Sequence, residues 1–206
     1  APQVGISFGG YRPWLMGRIL LTGLTPFLII AVDNLMIIVL NALLQRYGGE
    51  SQGDLLVAAA TISQSFMLVV TMPLGGMTGG TASILGYNLG AGQPKRILEA
   101  QKYILIIAVA YTGVLCLVGQ LFAAPFTRIF TPDVQVSALA VTAIRITSMG
   151  IVPLGVQYVI VDGLTGMGMM RYSLPLSAFR KLVYFVAIFI LPAAFGAVAI
   201  FFAEPI

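Results

Sequence analysis

Histidine is absent from the 206 residues and cysteine occurs once. Without imidazole the chain has no His-based proton relay and no His-ligated metal site, so carboxylates are its titratable candidates. Cys116 cannot form an internal disulfide, and in its apolar surroundings it reads as a small packed hydrophobe. Charge is scarce as well: Asp, Glu, Lys and Arg make up 9% of the chain, against about 25% in soluble domains. With 59% hydrophobic residues, that composition excludes a soluble fold and places the lipid bilayer as the chain's solvent. Transmembrane barrel strands are excluded because their alternation is missing. Also missing are a Walker sequence, a metal-ligand cluster, a Ser/His/Asp set and a dinucleotide fingerprint, so the chain is not expected to be an enzyme or to need a cofactor. The net charge of +4 sits at the ends of apolar runs without a basic patch, which argues against a nucleic-acid partner.

Long apolar runs are what the chain does have. They cover about 14–44, 55–89, 96–122, 134–164 and 174–191, and a sixth begins at 197–206. The expected fold is an all-α membrane protein, a polytopic helical bundle of about six transmembrane helices with the last truncated. Residues 1–13 lack the charged start and cleavage site of a signal peptide and read as a linker or cytoplasmic lead-in, cut from something longer. Trp14, Arg12 and Arg18 mark an interface, and Pro26 is expected to kink the first span. From Pro73 the second span is loosened by glycine before it descends to the turn Gly90-Ala91-Gly92-Gln93-Pro94, where Asn88, Lys95 and Arg96 are expected to fix the turn. With a cytoplasmic N-terminus that side collects Arg12, Arg18, Lys95, Arg96, Lys102 and Arg171, and the other side only Arg46 and Arg128.

Some ionisable groups remain inside the spans: Asp33, Arg145, Asp162, Arg180 and Lys181, with Glu204 in the sixth. Each would cost at least about 2.5–3.5 kcal/mol at mid-bilayer, so each demands a partner or a purpose. Asp33 shares a polar side of the first span with Asn34 and Asn41. Its functional reading is a carboxylate that binds a proton or Na⁺, with Asn34 beside it; its structural reading is a hydrogen-bonded orienting group. Asp162 lies at a depth matching Arg180 and Lys181 across a helix hairpin, which predicts an ion pair serving as a clasp or a gate. Thr61, Gln64, Arg145, Gln157 and Tyr184 extend the polar positions and, with Asn41, are candidates for lining a substrate cavity.

Gly86-Tyr87-Asn88-Leu89-Gly90-Ala91-Gly92-Gln93-Pro94-Lys95-Arg96 resembles the turn of multidrug and toxic compound extrusion (MATE) transporters. Pro26 with Asp33, Arg145 with Pro153, Asp162-Gly163-Leu164-Thr165-Gly166-Met167-Gly168, Ser177-Ala178-Phe179-Arg180 and Glu204-Pro205-Ile206 follow in the family's order. The resemblance implies one six-helix lobe, most similar to the C-terminal one. It also implies antiport of cationic amphipathic compounds against Na⁺ or H⁺, in the bacterial inner membrane, by alternating access between two lobes. The other lobe would be a missing N-terminal half or a second copy. Thr165 stands where the family often has Arg, and Leu154 where some sodium-coupled members carry an acid; both departures place the coupling role on Asp33. A lipid-linked saccharide flippase and a non-transporting scaffold are the alternatives.

Overall fold

A glycine reverses the first long helix. In the computed structural model, which describes residues 12–205, α1 runs Pro13–Gly90, and Gly49 is its one residue with non-helical dihedrals (φ 63°, ψ −168°). Side chains of residues 18, 19 and 21–30 lie outside the description, as do the expectations placed on residues 1–11, Arg18 and the ring of Pro26. A Cβ on Gly53 would lie 3.1 Å from Gln45 Cα, and one on Gly48 would lie 2.7 Å from Gly53 N. Residues eight apart in a straight helix are separated by about 12 Å, so the chain folds back here. The short polar connection expected between the first two spans is therefore a helical reversal around one glycine. Gly49 occupies a backbone region essentially restricted to glycine. Gly49→Ala is accordingly expected to cost about 1–3 kcal/mol, read as a lower midpoint in thermal unfolding of the detergent-solubilised chain; an unchanged midpoint would mean that the reversal tolerates a side chain.

The chain divides into two units, residues 1–40 and 41–206. In the second, the arm of α1 after Gly49 continues to Gly90 without a further break, through Pro73 and the glycine-rich stretch. At 1.5 Å per residue this arm is about 60 Å long, roughly twice a hydrocarbon core. The turn after it is closed by backbone bonds: Ala91 N–H donates to Tyr87 O (3.0 Å), Gly92 N–H to Leu89 O (3.1 Å) and Gln93 N–H to Asn88 O (2.9 Å). Pro94 then opens α2, Pro94–Leu121, at a position where its missing N–H costs nothing.

Next come α3 (Ala123–Phe130), α4 (Val134–Ser148), α5 (Ile151–Gly166) and α6 (Met170–Phe195). Asp133 caps α4, its Oδ1 accepting from Gln135 N at 2.7 Å and Val136 N at 3.2 Å. The pair α4 and α5 is bent by 48° at the break expected from Gly150. The residues expected to begin a sixth span form instead a 3-10 helix, Ala197–Ala203, after Gly196 (φ 87°, ψ 172°) ends α6.

Among the described residues three helices are long and apolar enough to cross a membrane, Ala31–Gly90, Pro94–Leu121 and Met170–Phe195, and the bent pair makes a fourth. No strand occurs among them. One core gathers Phe66, Val70, Ala140, Ile144 and Ile151; another gathers Leu74, Ala108 and Val159. Large apolar side chains also line the outside of α2 and α6, including Ile106, Val114, Leu117, Phe179, Leu182 and Ile190. Water would oppose so much exposed apolar surface, whereas lipid does not.

Candidate functional site

Small residues bring the far end of α1, the start of α2 and α5 into one junction. A Cβ on Gly166 of α5 would fall 2.7 Å from Ala82 Cα and 2.7 Å from Ala82 O on α1, and one on Gly86 would fall 2.7 Å from Gly166 O. Only residues with no side chain, or with a single methyl as at Ala82, let backbones approach so closely, which is the packing that replaces hydrophobic drive inside lipid. The approach places Thr78 of α1 beside α5, where its Oγ1 lies 2.5 Å from Asp162 Oδ2. Gln101 of α2 donates its amide N–H to Val159 O of α5 at 3.0 Å. The crevice at this junction is lined by Thr78, Thr81, Gln101, Ile104, Val159 and Gly163.

A second polar layer lies farther along the helices. Ser63 and Thr147, both buried, share a 3.2 Å hydrogen bond between α1 and α4. Gln120 of α2 donates to Arg145 O and to Ser148 Oγ of α4, each at 2.7 Å. Such polar contacts between helices fix register where apolar packing alone would allow sliding. A third group forms where the 3-10 helix meets α6, with Arg180 in electrostatic reach of Glu204 and Tyr184.

Of the residues expected at a site, Asp33 and Asn34 lie on α1 in the first unit, exposed, and neither lacks an interaction partner. Thr61 is exposed and bonds back to Val57 O at 2.9 Å. Asn41, Gln64, Gln157 and Tyr184 are half-buried and Arg145 is exposed. Asp162 is half-buried, and Thr78 is a partner that its helix spacing did not point to. Lys181 is likewise half-buried and engaged. At the turn Asn88 is buried and donates to Ile84 O at 2.8 Å, while Lys95 and Arg96 are exposed. Thus Asn88 is part of the turn's interior and the two cations are its surface.

Sequence reading missed Thr78, Gln101 and Gln120 as structural partners. The available signal was a lone amide within each end of an apolar helix, since a polar group in lipid requires a partner. Among the described residues no three His, Cys, Asp or Glu side chains gather to hold a metal ion.

No curated protein and no solved structure matches the chain. Residues 30–190 match the MatE family model. That range contains the Gly49 reversal, the three-helix junction and the bent pair together with most of α6. A bundle of long apolar helices with polar layers between them is what a membrane transporter requires, and the chain belongs to the MatE family.

Proposed function

We propose that this chain is one lobe of a secondary efflux transporter that exports cationic amphipathic compounds in exchange for Na⁺ or H⁺, by alternating access between two lobes. The match over residues 30–190 carries the reading. Asp33 is the coupling carboxylate, with Asn34 beside it. Asn41, Thr61, Gln64, Arg145, Gln157 and Tyr184 contribute polar contacts to the substrate path. Apart from Arg145 these side chains are neutral, and such a lining suits a cationic amphipathic compound better than a pyrophosphate. A flippase handling a pyrophosphate would need more cations along the path than Arg145.

The partner lobe is an N-terminal half or a second copy of this chain. The membrane is the bacterial cytoplasmic one, with the N-terminus in the cytoplasm. The exposed Lys95, Arg96, Lys102 and Arg171 around the two turns support that orientation. The test is export of a fluorescent cationic dye from vesicles under imposed Na⁺ and pH gradients, by the chain alone and by a two-lobe version. Gradient-dependent export by either supports the reading. Export by neither, with lipid-linked saccharide transbilayer movement present, would replace efflux with flipping.

A further inference from the structure

The short helix α3 presents a surface that suits neither water nor the middle of a bilayer. One side of it is fastened to the bundle: Phe126 packs edge-to-face on Phe66 of α1 with ring centroids 5.4 Å apart, Thr127 shares a 2.8 Å hydrogen bond with Ser137 of α4, and Ala123 is buried. Pro125 and Ile129, four residues apart and so on one face, are exposed. Ile129 is 79% exposed, and the flanking Leu121 and Val134 are 71% and 81% exposed. Arg128, the one charge of this helix, is exposed beside Ile129. Asp133, the nearest acid in sequence, caps α4 with its Oδ1.

The length of α2 sets the depth of that surface. α2 leaves the other end of the bundle with Lys95, Arg96 and Lys102, all exposed, followed by the exposed Tyr103. Cations and tyrosine mark a membrane interface, so hydrocarbon begins near Tyr103. Crossing a core of about 30 Å takes about 20 residues at 1.5 Å each, which brings the chain to the far boundary near Phe122, where α2 ends.

Water would oppose the apolar side chains of α3 and its flanks, and the middle of the bilayer would oppose Arg128. The boundary between headgroups and acyl chains accepts both, because an arginine there reaches the lipid phosphates. We propose that α3 is an interfacial anchor: Leu121, Pro125, Ile129 and Val134 enter the acyl-chain edge of the leaflet opposite Lys95 and Arg96, and Arg128 binds the phosphate of a phospholipid headgroup. The anchor holds the connection between α2 and α4 at one depth, whatever the protein transports.

Trp14 is the single tryptophan of the chain, so Ile129→Trp in a Trp14→Phe background reports from α3 alone. With the full chain in phosphatidylcholine vesicles, lipids brominated near the glycerol end of their acyl chains are expected to remove more of its fluorescence than lipids brominated near the methyl ends. Val114→Trp, exposed along the middle of α2, should show the reverse order. Adding Arg128→Leu to Ile129→Trp should shift the stronger quenching toward the methyl ends, and an unmoved order would overturn the phosphate contact. Strong quenching by aqueous iodide with no effect of bromine would leave α3 in water. The order seen for Val114→Trp would place it in the hydrocarbon middle, and quenching by neither bromine nor iodide would mean that protein covers it. Each of these three results overturns the proposal. Melting in detergent shows whether each variant folds; if Ile129→Trp does not, Leu121→Trp on the same surface takes its place.

Discussion

Leucine at position 166 is expected to prevent α1 and α5 from closing, with a loss of about 3 kcal/mol, the upper end of what overpacking costs. The reason is the nature of the neighbour. A Cβ there meets Ala82 Cα and O at 2.7 Å, and main-chain atoms of a helix cannot swing aside as the end of a flexible side chain can. The helices must separate, which would also pull Thr78 away from Asp162. Gly166→Ala introduces the same first atom with less bulk and is expected to cost less. Thermal unfolding and the monodisperse fraction in detergent measure both variants. A Gly166→Leu protein that melts like wild type would show that the two helices are not held at this distance.

Asp33→Asn is expected to reduce ion-driven dye export to the level of empty vesicles while leaving the melting midpoint close to that of wild type. Asparagine keeps the size of the side chain and removes the charge that would bind Na⁺ or carry a proton. Asp33 is an exposed carboxylate on a long apolar helix, and such a residue is a functional candidate because lipid makes it costly to retain. Asp33→Glu, with the carboxylate one methylene farther out, should restore part of the activity. Unchanged export by Asp33→Asn would remove this residue from the coupling step.

Apolar runs and scarce charge made the helices legible, because lipid demands both length and hydrophobicity. The turn at Gly90–Pro94 and the break near Gly150 were also legible, since glycine and proline act on the backbone locally. The reversal at Gly49 looked like an ordinary polar connection, because dihedrals at one glycine are not written in its neighbours. The sixth segment looked helical from its composition. Its 3-10 form goes with a positive φ at Gly196 and with packing against α6 and α4, which composition does not encode. Asp162 was recognisable as a residue needing a partner, and helix spacing offered Arg180 and Lys181 as candidates. Thr78, 84 positions away, became visible only once the small residues of α1 and α5 met.

The bend between α4 and α5 has a mechanical consequence. A helix broken inside lipid leaves carbonyls without their usual donors, and here Gln120 supplies one to Arg145 O while also gripping Ser148 Oγ. One amide nitrogen on α2 therefore braces the elbow. Pro205 also packs against it, its Cα 2.6 Å from where a Cβ on Gly150 would sit. A change of the bend that moves these groups apart has to break the Gln120 bonds, and one that presses Gly150 toward Pro205 has to displace the segment after the 3-10 helix, so the elbow's angle is tied to α2 and to that segment.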